Sequence, residues 1–324
     1  MAKAESFNVV NNREDKTDLY TVVSPEKTPM LSGLPKFRSQ TNTLLEWTAD
    51  NLEDVDFGGT IEGSDQTSHK DKTEKRVLLG NRYQEERKSY AVSNIQNKVD
   101  VAGVSDEESF AQARSMLELK LNMESAIGSS NELQAGTGAQ PSLLRGLDKW
   151  IDSTNTNIDA SVRTPSSSEG QTSTLTESSF NDVLQSVYET AGAVMDMRLY
   201  AGSELQRKIS DFTRAEGTTT PTPFVVNSDQ NSREITFSVQ FYRGDFANVQ
   251  VISDLFLNRT SGQGLTTDSK RQGYLINPEM VNISVWENMN IVEQVDNGGG
   301  PRGFARGIIT SVVKNPKGLG KFSG

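Results

Sequence analysis

The sequence predicts an α+β protein in which one long helix separates extended N-terminal segments from a mixed C-terminal body. Three observations predict this class. Residues 105–127 have clear helical periodicity, the segments before them have the prolines and alternation of extended chain, and a hydrophobic period of two begins at Glu234. A long rod between arms and a body is typical of a lattice subunit and unusual for an enzyme.

The composition indicates that much of the chain lies outside the hydrophobic core of its own subunit. The 324 residues suggest about two domains. Hydrophobic residues make up 34% and the mean hydropathy is −0.55, which is low for one compact domain of this length. No apolar run approaches the ~20 residues of a membrane span, and the N-terminus has no apolar signal core.

Cysteine and histidine usage excludes several kinds of site. The chain has no cysteine, which excludes disulfides and thiolate metal sites and fits assembly in a reducing cytoplasm. Its one histidine, His69, lies in a polar segment. A histidine metal site or a Ser-His-Asp triad would have to use this single residue, which disfavours both. We therefore predict no catalytic residue, no metal site and no cofactor.

The net charge of −10 argues against a non-specific nucleic-acid binder, which normally carries a basic patch. An acidic wall would suit a container that must not adhere to packed nucleic acid. Ordinary solubility charge explains the same number equally well.

Residues 1–43 are predicted to form an arm. Pro25, Pro29 and Pro35 each fix φ and keep the chain extended. The alternative is a disordered tail, but its many apolar side chains argue against one. These are Leu19, Tyr20, Val22, Val23, Met30, Leu31, Leu34 and Phe37.

Residues 44–100 are predicted to form one long hairpin. Leu45, Trp47 and Ala49 alternate along the outgoing strand, and the return strand spans roughly residues 76–95 around a polar, glycine-punctuated tip. A two-stranded ribbon is marginal alone in water and has open edges. We therefore expect another molecule to cover it, which is the strongest physical indication of a homo-oligomer.

The central helix has sequence signals at both ends. Ser105 and Glu108 have the spacing of a capping box, and acidic residues 106–108 favour the positive end of the helix dipole. Gly128 stands where a helix usually ends. At 1.5 Å per residue the rod is roughly 34 Å long. Its apolar face comprises Phe110, Ala113, Met116, Leu117, Leu119, Leu121, Met123 and Ile127.

The body alternates short elements. Residues 143–151 are predicted to form a short amphipathic helix or turn. Residues 152–178 are polar and are predicted to form a long connection on the surface of the body. A helix follows over residues 180–191, with capping candidates at 176–179 and Gly192 as terminator. A strand at residues 197–202 precedes a helix with Leu205, Ile209 and Phe212 inward.

The C-terminal part is predicted to be mainly strands. Residues 234–242 and 248–257 form an antiparallel pair around the turn 243–246, and residues 273–295 and 303–315 form further strands joined by a flexible tip at 296–303. Short fragments resembling phosphate loops, at 136–141 and 318–321, lack the required spacing. The RGD fragment at 243–245 could indicate cell adhesion, but a hairpin turn at this position requires only its glycine.

The collinear order of motifs resembles the major capsid proteins of tailed bacteriophages with the Hong Kong 97 fold. The matching stretches in the arm and hairpin are residues 12–15 (NRED), 18–20 (DLY), 23–25 (VSP), 28–30 (TPM), Thr43, Glu46, Trp47, Asp50 and 62–65 (EGSD). Further matches are residues 199–213 (LYAGSELQRKISDFT) and 275–281 (LINPEMV). Two departures are the length of 152–178 and Met280, where the pattern has tyrosine.

The resemblance implies a domain organisation. Residues 1–43 would be the N-terminal arm, 44–100 the extended loop over a neighbour, and 101–131 the peripheral domain with its spine helix. Residues 132–285 would form the axial domain around five-fold and six-fold centres. Residues 286–324 would return to the peripheral domain, with the loop at 297–303 meeting three-fold contacts.

The resemblance also implies a function. The chain would form pentamers and hexamers of an icosahedral head that encloses double-stranded DNA without sequence-specific contacts. Portal, scaffolding and decoration proteins would be partners, and no membrane would be involved. The head would assemble in the bacterial host cytoplasm and remain in the virion. The alternatives are another virion or bacterial shell protein, such as a decoration protein or an encapsulin-like compartment, and an enzyme.

Three narrower expectations accompany this reading. Because the arm begins almost at Met1, scaffolding is expected to be a separate chain. Lys70, Lys72 and Lys75 are candidates for the lysine–asparagine cross-link that some relatives form, although no marker of that chemistry is visible. Deletion of residues 1–40 is expected to leave a folded body that cannot form shells.

Overall fold

The structure, a computed structural model, describes residues 27–39, 41–53, 55–99, 101, 103–191, 196–212, 240–259 and 265–324. The arm anchors at positions 19–23, the helix terminator Gly192 and the predicted strand start at 234–239 lie outside these residues. The α-helices within them are α1 (Pro29–Gly33), α2 (Glu107–Ile127), α3 (Leu147–Trp150), α4 (Glu177–Ala191), α5 (Ser203–Asp211) and α6 (Thr267–Arg271).

The described strands belong to three sheets. In chain order they are β1 (Lys36–Arg38), β2 (Leu44–Asp50), β3 (Arg76–Arg82), β4 (Gln84–Ala91), β5 (Glu169–Gln171), β6 (Asp196–Ala201), β7 (Phe241–Arg243), β8 (Asn248–Ser253), β9 (Gly273–Ile276), β10 (Val281–Gln294), β11 (Arg302–Val313) and β12 (Gly320–Ser323). Short 3₁₀ turns occur at Gln96–Lys98, Ser166–Ser168 and Pro316–Gly318.

The spine helix α2 has the predicted position, but its N-cap is one residue later than predicted. Asp106 is the cap, and its side chain accepts the Ser109 amide at 3.2 Å. The capping box on Ser105 is therefore wrong, because the carboxylate of Asp106 occupies that role. Gly128 ends the helix as predicted, and its carbonyl accepts the Tyr274 hydroxyl at 2.9 Å.

The spine helix packs on a four-stranded sheet with the order β1-β10-β11-β4. Strands β10 and β11 form the long antiparallel hairpin that the sequence predicts. Strand β1, from the arm root (residues 29–38), adds to β10 in parallel. One core cluster joins the helix, this sheet, residues 144–162 and the arm root, so the arm root is part of the folded body.

The predicted return strand of the hairpin is two strands. Strand β3 pairs with β2 in a separate two-stranded ribbon, and β4 pairs with β11 in the four-stranded sheet. The chain changes sheets at Tyr83, whose hydroxyl bonds Ser284 Oγ at 2.7 Å. The free ribbon therefore ends at residue 82, and the prediction of one hairpin over 44–100 is wrong beyond that point.

The second sheet has six strands in the order β5-β12-β9-β6-β8-β7. The predicted strand after Gly192 is β6, which pairs in parallel with β8 and antiparallel with β9. Helices α4 and α5 cover this sheet, with Phe180, Val187, Leu205 and Ile209 buried in its core. Strands β7 and β8 form the predicted antiparallel pair within the described residues.

Residues 152–178 are not the surface excursion that their composition suggests. Ile158 and Val162 belong to the main core, and β5 pairs with β12. Buried hydroxyls are satisfied by backbone carbonyls: Thr164 bonds Pro316 O at 2.8 Å and Thr172 bonds Arg271 O at 2.7 Å. Such bonds allow a polar segment to be buried.

The C-terminal strand β12 was not predicted from the sequence. It pairs with β9 in the six-stranded sheet, whereas β11 lies in the four-stranded sheet. Residues 302–313 and 320–323, which the sequence grouped together, thus lie in different sheets. Phe322 is fully buried and stacks on Phe180 with ring centroids 5.3 Å apart. Gly170 leaves the space that the Phe322 ring occupies.

This packing predicts that the C-terminal strand is required for stability. Phe322→Ala removes a buried ring and is expected to lower the free energy of unfolding by about 3–5 kcal/mol. Chemical denaturation of the unassembled full-length chain measures it, and Ser323→Ala, at a half-buried position in the same strand, is the matched control. A loss below ~1 kcal/mol for Phe322→Ala would show that β12 is dispensable.

Candidate assembly surfaces

The ribbon of β2 and β3 is anchored to the body by one face near its root. Trp47 donates its indole N–H to Val313 O at 2.9 Å, and its ring lies 5.7 Å from that of Trp150. Leu79, paired with Trp47 across the ribbon, is buried in the main core. The alternation of Leu45, Trp47 and Ala49 predicted from sequence is confirmed.

Asn81 fixes the direction in which the ribbon leaves the body. Its fully buried amide donates to Ser311 O at 2.8 Å and to Arg145 O at 3.2 Å, and its oxygen accepts the Arg145 amide at 2.8 Å. A buried amide with donors and acceptors satisfied in one geometry permits little rotation. Nothing in the sequence around Asn81 distinguishes it from an ordinary turn residue.

The ribbon ends in an exposed apolar tip, defined here as residues 51–53 and 55–75. Its composition suggested a polar segment, but four apolar side chains in it are left uncovered by the residues that the structure describes. Leu52, Val55, Phe57 and Ile61 are 94%, 77%, 93% and 82% exposed. Their presence in a segment without strand or helix is the signal that could have identified them.

Charged side chains hold the base of the apolar tip together. Glu53 pairs with Lys72 at 3.0 Å and with Lys70 at 3.7 Å. The hydrogen bond from Lys72 lowers the pKa of the Glu53 carboxyl. Lys75 donates to Leu52 O at 3.5 Å. The three lysines that the resemblance suggested as cross-link candidates therefore gather at the base of the tip.

The arm root, residues 29–38, is fastened at several points. Met30, Leu31 and Leu34 are buried. Arg198 donates to Gly33 O at 2.6 Å, and the Ile283 amide donates to Pro35 O at 2.8 Å. Deletion of residues 1–40 would therefore remove part of the core, so the expectation that this truncation leaves an intact body is not supported.

Glu124 of the spine helix makes the most specific contact with the arm root. Its two carboxyl oxygens accept the Met30 amide at 2.7 Å and the Leu31 amide at 2.6 Å. Asp254, which follows β8, lies close enough to Glu124 for the two carboxyl groups to influence each other's pKa. Burial, together with the neighbouring Asp254 charge, raises the pKa of Glu124 to about 9. Sequence reasoning missed this pair because its members are far apart in the chain.

The tip of the β10–β11 hairpin is a second exposed feature. Asp296 accepts the amides of Gly298 at 2.8 Å and Gly300 at 2.9 Å, and these amides lower the pKa of its carboxyl. Gly300 has φ +111°, and a Cβ there would meet Val92 O at 2.2 Å. The tip predicted to be flexible thus has a defined turn that exposes Val295.

The described residues offer little for chemistry. No group of three or more His, Asp or Glu side chains among them could hold a metal ion, and His69 is exposed. The groove between the tip base and the body is lined mainly by charged and polar side chains, including Lys70, Arg76, Asp159 and Lys317. No helix in the described part of the chain is long and apolar enough to cross a membrane.

Solved structures of shell proteins resemble this chain along its whole length. The capsid of a native GTA particle matches with a TM-score of 0.60 and 9% identity over 99% of this chain and 97% of the other. The capsid of cyanophage P-SCSP1u matches with a TM-score of 0.58 and 11% identity, over 100% of this chain and 99% of the other. The structure from Mycobacterium phage Adephagia matches with a TM-score of 0.58 and 13% identity, over 99% of this chain and 98% of the other. These likenesses show the Hong Kong 97 fold.

A bacterial compartment protein shares the fold as well. The SrpI encapsulin from Synechococcus elongatus PCC 7942 matches with a TM-score of 0.57 and 9% identity over 100% of this chain and 96% of the other. Curated protein sequences give no match. The family model described as SU10 major capsid protein matches residues 3–324, which favours a phage capsid over an encapsulin. The chain belongs to the SU10 major capsid protein family.

Proposed function

We propose that copies of this chain form pentamers and hexamers that close the icosahedral head of a tailed bacteriophage around double-stranded DNA. The exposed apolar tip is the single observation that carries this proposal. Leu52, Val55, Phe57 and Ile61 lie at the end of a ribbon whose root is rigidly fixed. A ribbon with a rigid root and an uncovered end is positioned to contact a neighbouring subunit through that end.

The energy of such a contact is modest for each copy and large for the shell. Burying one large apolar side chain contributes roughly 1.5–3 kcal/mol. Each copy both gives and receives a ribbon in a closed symmetric assembly, so the contacts add over many subunits. The same contact can be weak for a pair of subunits and strong for a complete shell.

The sheets support a division of labour within the subunit. We assign α2 and the four-stranded sheet to the peripheral domain and the six-stranded sheet to the axial domain around five-fold and six-fold centres. Strand β12 belongs with the axial domain because it pairs with β9. The tip that exposes Val295 is assigned to three-fold contacts.

Charge and composition support the remaining parts of the proposal. A net charge of −10 fits an inner wall that holds DNA without sequence-specific contacts. The absence of cysteine fits assembly in the reducing cytoplasm of the bacterial host. A portal, a separate scaffolding chain and decoration proteins are the partners expected of such a head.

The apolar tip gives a direct test. The double variant Phe57→Asp, Ile61→Asp is expected to fold normally, with a Tm within about 2 °C of the parent, because both side chains are exposed in the subunit. It is expected to form no closed shells, because two buried carboxylates would oppose the contact. Electron microscopy and sedimentation of particles measure the outcome.

The matched control is Thr60→Asp, Ser64→Asp, which adds the same charge to exposed polar positions of the same segment. It is expected to retain shell formation. Normal shells from the Phe57 and Ile61 variant would contradict a role of the apolar tip in assembly.

The arm gives a second test. Deletion of residues 1–26 leaves the buried root at Met30, Leu31 and Leu34 in place, so the body is expected to keep its stability. Shells are expected to be lost, because the deleted segment carries apolar side chains such as Tyr20 and Val22. Calorimetry tests the first expectation and microscopy the second. Closed particles from the truncated chain would contradict the proposed role of the arm.

A further inference from the structure

The contact between Glu124 and the arm root brings together three separate parts of the chain. Glu124 lies on α2, the Met30 and Leu31 amides belong to α1, and Asp254 follows β8 of the six-stranded sheet. Glu124 is fully buried and Asp254 is 1% exposed. The carboxyl pair therefore lies at the point where the arm root, the spine helix and the body meet.

One proton held between the two carboxyl groups would satisfy the pair. Asp254 Oδ1 accepts the Phe256 amide at 2.8 Å, whereas its buried Oδ2 accepts no N–H bond from the described residues. Both oxygens of Glu124 are taken by the arm-root amides. Two adjacent carboxyl groups buried away from water favour a state with one shared proton, because two carboxylates would repel each other.

We propose that the Glu124–Asp254 pair is a proton-dependent latch that fastens the root of the N-terminal arm to the spine helix. Closing the latch traps one proton between the two side chains. Opening it by lifting α1 removes the Met30 and Leu31 amides from the carboxyl of Glu124 and admits water to it. The arm root is thereby linked to the pH of its surroundings.

Other charged and titratable groups face the pair and belong to the same network. Arg259 lies near Asp254 and favours its ionised form. Tyr200 of β6 faces both carboxyl groups, and Arg198 of the same strand interacts with Tyr200. Tyr274 of β9 is near Asp254. Arg259 is one cation beside two carboxyl groups, so it does not remove the need for a shared proton.

The direction of the pH effect follows from linkage. In the closed latch, the pKa of Glu124 is raised to about 9, so the proton stays bound through neutral pH. In the open latch, a solvated glutamate has a pKa of about 4.3 and loses the proton. Opening therefore releases a proton between about pH 5 and pH 9, and becomes about tenfold easier for each pH unit in that window.

Hydrogen exchange of the full-length, unassembled chain tests the latch. The protection factor of the peptide covering residues 29–35, after correction for the intrinsic exchange rate, is expected to fall about tenfold per pH unit from pH 6 to pH 8. The peptide covering Leu44–Asp50 of the ribbon, which can open without exposing Glu124, serves as the internal reference and is expected to show no such slope. A flat profile for residues 29–35 would overturn the proposal.

Asp254→Asn is the decisive variant. Its amide can accept the Phe256 N–H and donate permanently to Glu124, so the latch is expected to stay closed with no pH slope. Glu124→Gln, which also lacks the shared proton, is expected to lose the slope but to lower protection, because one arm-root amide loses its acceptor. Retention of the slope in both variants would overturn the proposal.

Tyr200→Phe is the control for the neighbouring phenol. It is expected to keep the tenfold slope, because the proton is held by the carboxyl pair. Loss of the slope in Tyr200→Phe, with retention in Asp254→Asn, would assign the effect to Tyr200 and overturn the latch.

Discussion

A ribbon of two strands has no second layer with which to cover its outer surfaces, and this constraint governs how the rest of the subunit is built. The root of the ribbon is held by its own body through Trp47 and by the fully satisfied amide of Asn81. Beyond residue 50 the described part of the chain leaves the apolar side chains of the tip exposed, and Phe57 is 93% exposed. Rigidity at one end gives the exposed end a defined position, which reduces the entropy that a contact with a neighbour would cost.

The body beneath the ribbon is one continuous structure assembled from distant parts of the sequence. The core joins Met30 of the arm root, Met123 of the spine helix, Trp150, and Ile283 and Ile309 of the long hairpin. A change in the packing of the arm root therefore alters the packing of the spine helix. The carboxyl latch lies at this junction, so the arm and the body respond to the same protonation event.

Sequence reasoning succeeded where the determinants are local. The periodicity and Gly128 located the spine helix, and alternation located the strand containing Trp47, because side-chain spacing within one element is set by its own backbone. It failed where the determinants are distant contacts. Strand β12 has four residues and no periodic signal, and the polar segment 152–178 is buried through hydroxyl–carbonyl bonds to other parts of the chain. At the candidate site, the ribbon was predicted, whereas the partners of Asn81 and Glu124 lie more than 60 and 90 residues away.

In the proposed shell, the apolar tip is covered by other copies of the chain. Hydroxyl-radical footprinting of Phe57 and Leu52, in unassembled subunits and in closed shells, measures this cover directly. We expect several-fold slower oxidation of both side chains in shells, with unchanged oxidation of Trp150, which is already buried within the subunit. Equal oxidation of Phe57 in subunits and shells would contradict it.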